Sequence, residues 1–213
     1  MKKILVLGAA GQIARQFSQR LLAGTDMELV LYGRNISTRL AALKGDRVSL
    51  VDGTFQDQKA LMQALQGVDL VYLNAMSDAQ ATQTIISAMK QVGVTHLIGA
   101  TIAGTEGEVP QPLVGWTEAN LPAAYIAGEQ ASADAVKASG LKYILLRLTW
   151  LYDDPQDREY ELVPSGTAFA DAEVTREAVV QALLDLLNDE NLTWDVTYGV
   201  GKPDTHYGKP SFY

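Results

Sequence analysis

The sequence predicts a doubly wound parallel α/β sheet of three layers, on three observations. Short apolar runs alternate with amphipathic helical stretches, the connections between most of them are short, and the first run closes on a glycine turn that opens a helix. Continuous apolar strands read as a parallel sheet covered on both faces, and right-handed crossovers make the doubly wound arrangement the default. The first run is Ile4-Leu5-Val6-Leu7; Gly8 and Gly11 follow three residues apart, and Ile13, Phe17 and Leu21 then recur at every fourth position. A turn this tight calls for glycine, because a Cβ would oppose a positive φ or a closely approaching ligand. The helix behind it aims unpaired N–H groups and a positive dipole end outward, a setting that suits phosphate or pyrophosphate.

The rest of the chain repeats the unit. Residues 27–32 (MELVLY) form a second run ending at Gly33-Arg34-Asn35, followed by a helical stretch at 36–43. A third run at 48–51 stops at Asp52-Gly53 before a helix at 58–65, and a fourth at 70–73 stops at Asn74-Ala75. In the next helix Ile85, Ile86, Met89 and Val92 make one apolar stripe, and 96–100 re-enters a strand. Residues 101–122, rich in glycine and proline, break the rhythm as a long loop of the kind that often carries function. An alanine-rich helix at 123–138 suits close approach to the sheet or to a second copy of the chain, so a homodimer stays open. A sixth strand at 143–148 precedes an irregular acidic and aromatic segment at 149–172. Thr175 then caps a helix with Val179, Val180, Leu183, Leu184 and Leu187 on its core face, and 194–200 is strand-like.

With 213 residues, 47% of them hydrophobic, the chain is expected to form one domain over 1–213. Residues 1–148 supply the sheet and helices, and 149–213 a small irregular part over the cleft. The absence of cysteine removes thiolate chemistry and cysteine-ligated metals, and two histidines, His96 and His206, are too few for a histidine-based centre, so metal catalysis is not expected. A net charge of −8 argues against nucleic acid as a partner. The apolar runs fall short of the roughly 18 residues that span a bilayer. Lys2 and Lys3 precede only a strand-length segment, so the protein is read as cytoplasmic with no membrane partner.

Ligands of such sheets bind beyond the carboxyl ends of the strands, which singles out the residues after each apolar run. The first turn spells G-x-x-G-x-x-A, with Gly8, Gly11 and Ala14, against the G-x-G-x-x-G of the dinucleotide fingerprint. Alone it is as readily a structural turn as a binding one. The second strand ends at Arg34, where an NAD site would place a carboxylate on the ribose hydroxyls. Arg34, with Arg15 or Arg39 nearby, instead matches a 2′-phosphate and favours NADP(H) over NAD(H), although a lone arginine is most often a solvated surface residue. Asp52 suits an adenine amino group, and Asn74-Ala75 a ribose and nicotinamide edge; both are equally good turn formers.

The glycine turn, Arg34, Asp52-Gly53, Asn74-Ala75 and the late segment Ser139-Gly140-Leu141-Lys142-Tyr143, running on to Arg147-Leu148, together resemble the atypical short-chain dehydrogenase/reductases of the NAD(P)-binding, NmrA-like branch. The resemblance spans most of the chain and implies a Rossmann-like fold. It implies that Gly8, Ala10, Gly11, Gln12 and Ile13 hold the pyrophosphate, Arg34 the 2′-phosphate, Asp52 and Gly53 the adenine, and Asn74 and Ala75 the ribose side of the nicotinamide. Short-chain dehydrogenases pair a serine or threonine after the fifth strand with Tyr-x-x-x-Lys on the next helix. Thr101 and Tyr125 match the first two positions; Glu129 stands at the third. A carboxylate there raises the phenol pKa, where the family's lysine lowers it.

Trp116, Trp150 and Tyr152 lie in segments expected at the nicotinamide end, where they would wall a pocket for a small, flat substrate such as a quinone or flavin, with His206 and Tyr207 in a tail able to fold over it. Each one singly is more often core or loop packing. The function expected is an oxidoreductase that passes hydride between the nicotinamide and that acceptor, with Tyr125 and Thr101 bonding to the acceptor. The alternatives are an NADP(H) sensor without turnover and, more weakly, an epimerase or isomerase with retained cofactor.

Overall fold

The computed structural model describes residues 2–213. Its main sheet has eight strands in the order β3-β2-β1-β4-β5-β6-β10-β8. They are β1 (Lys3–Leu7), β2 (Glu28–Gly33), β3 (Val48–Asp52), β4 (Leu70–Leu73), β5 (His96–Ile102), β6 (Lys142–Leu148), β8 (Glu161–Pro164) and β10 (Val196–Gly201). Every neighbouring pair is parallel except β10 and β8. The strand order reverses between β1 and β4, so the two connections leaving their carboxyl ends part there and open the crevice that such sheets use for ligands.

The period of two in β1 sorts its side chains between two cores. Ile4 and Val6 face the layer of α1 (Gln12–Gly24) and α7 (Arg176–Asn188), among Phe17, Leu21, Val179 and Leu183. Leu5 and Leu7 face α3 (Gln58–Ala64), α4 (Ala79–Val92) and α6 (Ala123–Lys137), among Leu61, Ile85, Met89 and Val136. Each such side chain, fully buried, stabilises the fold by roughly 1.5–3 kcal/mol. Capping follows the sequence closely at three helix starts. Asp57, Asp78 and Thr175 each accept a first-turn amide, from Ala60, Ala81 and Ala178 respectively.

Three segments depart from the periodic reading. The helical stretch expected at 36–43 ends early as α2 (Ile36–Arg39) and passes into a 3₁₀ turn at Ala41–Leu43. The loop at 101–122 contains α5 (Leu113–Asn120), whose only buried residue is Leu113; with so little apolar face it leaves no periodic trace. The irregular stretch at 149–172 supplies β7 (Trp150–Tyr152), paired with β9 (Glu173–Thr175), and the edge strand β8. Strands of three or four residues exist through their partners, which lie far away in sequence.

An ion network ties the long loop after β5 to the sheet. Glu108 accepts the amides of Gly104 and Glu106 at 2.9 Å and meets the fully buried Arg147 of β6 at 2.6 Å. Glu106 accepts from Lys137, Ser165 and Thr197, each at 2.7 Å. Burial pushes the Glu106 carboxyl up, but these bonds and the nearby Arg147 bring it down to about 2. The loop that walls one end of the cleft is thereby held by charge where it has little apolar surface.

Candidate active site

At the carboxyl edge of β1, β2 and β3 lies a cleft of about 500 Å³, lined by Gly8, Ala10, Gly11, Gly33, Arg34, Arg39, Gly53, Phe55 and Ala75 among others. Gly8 has φ +77°, the left-handed conformation its position requires. Gly11 has an ordinary extended backbone, and its lack of a Cβ matters differently: a Cβ there would overlap the side-chain amide of Asn74. Asn74 in turn accepts a 2.9 Å hydrogen bond from Tyr72, whose phenol is fully buried and driven well above its ordinary pKa. The β4 end thus props the turn from behind. No side chain caps α1, so its first amides stay available at the cleft wall, unlike those of α3, α4 and α7. That bare terminus, a wall of glycine and alanine, and two exposed guanidinium groups fit a pyrophosphate and a further phosphate.

Two positions behave differently from expectation. Asp52 is absent from the cleft lining, because its carboxylate accepts the amide of Ser37 at 3.0 Å and also the Ser37 hydroxyl, bonds that hold its pKa below the ordinary value. These bonds brace the end of β3 against α2. Phe55, which no motif marked, lines the cleft instead, stacked on Tyr32 with centroids 6.3 Å apart at 17°. Tyr32 is itself anchored by donating to the Thr54 carbonyl at 2.8 Å. The ring offers a flat apolar face where an adenine would lie.

Next to the cleft, and sharing Ala75 with it, is a space of about 320 Å³ lined by Gln12, Ile13, Asn74, Thr101, Tyr125, Glu129 and Arg176 among others. Thr101 is on β5; Tyr125 and Glu129, one helical turn apart, share a face of α6. Glu129 is 3% exposed. Its Oε2 and the Thr101 hydroxyl are both buried with no hydrogen-bond partner, although the two groups and Tyr125 are close enough to affect one another's titration. Burial raises the Glu129 pKa against the lowering pull of Thr101 and Tyr125. Burial, and then the Glu129 charge, push the Tyr125 phenol up to about 12. At neutral pH Tyr125 is therefore a proton-bearing phenol, and the Glu129 carboxyl keeps its proton to higher pH than an exposed carboxyl does.

Beyond Tyr125 opens a third space of about 290 Å³, lined by Ile102, Val109, Leu113, Leu148, Trp150 and Tyr213 among others, with Arg176 on its wall. Of the three aromatics expected here, Trp150 lines the pocket, its indole donating to the Thr117 hydroxyl at 3.1 Å. Trp116 stands against Tyr213, with centroids 5.7 Å apart, and does not line the space. Tyr152 packs on Phe212 at 5.6 Å and donates to Asp157 at 3.0 Å, also outside it. The tail does return to the pocket, through Tyr213, whose ring meets Trp150 edge-on at 5.4 Å. Its hold is Glu173, which accepts the Ser211 amide at 2.6 Å and the Ser211 hydroxyl at 2.8 Å. His206 lies instead 3.4 Å from buried Asp171, and Tyr207 is exposed.

Among the described residues no cluster of three or more carboxylates and histidines is arranged to hold a metal ion, and no helix is long and apolar enough to cross a membrane. The family model described as NAD(P)H-binding matches residues 8–190. A short-chain dehydrogenase/reductase (wide type) from Veillonella parvula, solved in complex with NADP, is 43% identical, covers 99% of each chain and superposes with a TM-score of 0.96. A (4-alkanoyl-5-oxo-2,5-dihydrofuran-3-yl)methyl phosphate reductase from Streptomyces griseus is 31% identical over 105 residues, 48% of this chain and 36% of that protein. A phenylcoumaran benzylic ether reductase from Ginkgo biloba is 29% identical over 99 residues, 43% of this chain and 32% of its own length. The chain thus spans about a third of the length of these two curated relatives in the matched region.

Proposed function

The chain belongs to the NAD(P)H-binding family, and from that premise we propose that it is an NADPH-preferring reductase acting on a small, flat, conjugated acceptor. The observation that carries the reading is a row of three neighbouring spaces that share lining residues. Arg34 and Arg39 stand at one end, the Thr101–Tyr125–Glu129 group in the middle, and an aromatic pocket at the other end. Gly8 to Ile13 would hold the pyrophosphate, Arg34 and Arg39 the 2′-phosphate, Phe55 the adenine face, and Asn74 and Ala75 the nicotinamide ribose. The bound dinucleotide would supply the hydride.

The protein's own part is to hold the acceptor and deliver a proton. Trp150 and Tyr213, in edge-on contact with each other, form one wall against which a flat ring system lies, excluding water from that side of it. The Tyr125 phenol, kept protonated, donates a hydrogen bond to an acceptor oxygen. Burial favours the protonated form of Glu129; as the Tyr125 phenol gives its proton to the reduced acceptor it takes the proton of Glu129, and the carboxylate left behind accepts from the Thr101 hydroxyl, which has no other partner. The usual lysine is then dispensable, because the proton drawn through the phenol comes from a carboxylic acid and requires no phenol of lowered pKa.

The test begins with cofactor binding followed by NADPH fluorescence. NADPH is expected to bind at least tenfold tighter than NADH, the scale of about 1.4 kcal/mol for one charge-assisted phosphate contact, with Arg34→Ala erasing most of the difference. Equal affinities in the unaltered protein would reject the 2′-phosphate assignment. Steady NADPH consumption with quinones, flavins or conjugated carbonyls is the expected second result. Tight binding with no consumption across such a panel would point to a dinucleotide sensor.

A further inference from the structure

The aromatic pocket contains a charge that neither hydride transfer nor dinucleotide binding uses. Arg176, the first residue of α7, lines both the middle space and the outer pocket and is the one cationic side chain lining either among the described residues. Its side chain is 20% exposed, and its partner is Asp153, at 2.9 Å, which is 64% exposed. Exposed ion pairs contribute about 0–1 kcal/mol, too little to account for a guanidinium turned into an apolar pocket. A guanidinium has five N–H donors in a planar fork, and this contact engages one nitrogen. The other polar groups of the two spaces offset it little. Burial disfavours the charge of Glu129, while Thr101, Thr117, Thr149 and Tyr125 carry none at neutral pH. Lys209 adds a second positive group behind the pocket wall, its ammonium 5.5 Å from the Trp116 ring that backs Tyr213. In a chain of net charge −8, Arg176 and Lys209 thus put two cationic groups beside the pocket, the first of them held by Asp153.

We propose that Arg176 binds an anionic group on the acceptor, so that the substrate is a flat conjugated molecule bearing a carboxylate or a phosphate. The inference rests on the reductase reading and narrows its substrate class. The ring system lies in the pocket walled by Trp150 and Tyr213, and the anion takes the fork of Arg176 in place of, or beside, Asp153. Carboxylate and phosphate both match the planar donor pair.

Calorimetric titration of the NADP⁺-loaded protein with naphthoate, naphthamide and naphthyl phosphate tests this. The unaltered protein is expected to bind naphthoate or naphthyl phosphate about tenfold tighter than the uncharged amide, the scale of one charge-assisted hydrogen-bond pair. Whichever anion binds tighter assigns the group. Arg176→Gln is expected to bring the anion down to the affinity of the amide while leaving NADPH affinity as it was, which also shows that the variant is folded. Asp153→Asn, which releases the guanidinium, is expected to tighten the anions by about threefold without moving the amide. Equal binding of acid and amide by the unaltered protein would overturn the proposal and leave the flat pocket standing. So would a loss of NADPH affinity in Arg176→Gln with naphthoate unmoved, which would give the residue to the cofactor phosphates. If none of the three aromatic probes binds, the acceptor pocket itself is refuted, and this inference with it.

Discussion

A carboxyl group as enclosed as Glu129 leaves a mark on stability as well as on chemistry. Its ordinary pKa is 4.5, and in the folded protein it is higher, chiefly because burial disfavours the charge. The folded state therefore holds the proton more tightly than the unfolded chain. The resulting stability is fully present below 4.5 and is lost as pH rises through the folded pKa. Glu129→Gln keeps the volume and a donor but cannot ionise. Chemical denaturation of both proteins at about pH 5 and about pH 8 is expected to show the variant gaining on the unaltered protein as pH rises. Parallel pH dependences would mean that Glu129 is charged in its site. Turnover is expected to fall in the same variant, since glutamine has no acidic proton to give. The position was legible because Tyr125 and Glu129 stand in a known spacing; the burial that gives the carboxyl its behaviour was not.

Among the elements, the strut between Asn74 and the first turn makes the sharpest case. Gly8 and Gly11 were marked by their place between an apolar strand and a helix, but their reasons differ. Gly8 needs its positive φ, whereas Gly11 needs an absent Cβ because Asn74 occupies that space. Gly11→Ala is therefore expected to destabilise by about 1–3 kcal/mol, as overpacking does, and to weaken NADPH binding. Adding Asn74→Ala should recover much of the stability in a double-mutant cycle. Additive losses would refute the contact. No spacing rule announces such a contact, since β4 and the turn meet only when β1 and β4 pair. The same holds for α5 and for β7 with β9, whose few residues acquire their conformation from distant partners.

Across the whole molecule, the acceptor pocket joins segments from the middle of the chain to Arg176 and the C-terminal Tyr213. β5, α5, α6 and β7 form its wall, and Tyr213 closes it, held through the Ser211–Glu173 bonds. Ser211→Ala removes one of those two bonds and is expected to lower unfolding free energy by about 1 kcal/mol. It should also weaken flat aromatic ligands while leaving NADPH affinity unchanged, as calorimetry with naphthoate and NADPH will show. A drop in NADPH affinity of the same size would mean that the tail supports the cofactor cleft and not the pocket alone.

What the sequence by itself determined is the alternation of strands and helices, the glycine turn at the first strand end, and the residues standing at the ends of the next strands. These are local matters: periodicity, turn chemistry and the lack of a side chain are properties of neighbours in the chain. Arg34 could be marked because strand ends in a parallel sheet share one edge. Only the tertiary structure decided that Asp52 braces Ser37 while Phe55 faces the cleft, that Trp150 and not Trp116 or Tyr152 lines the pocket, and that Arg176 enters it. Each of those outcomes depends on which surface a side chain finds once separate elements are packed together, and a one-dimensional pattern has no term for that.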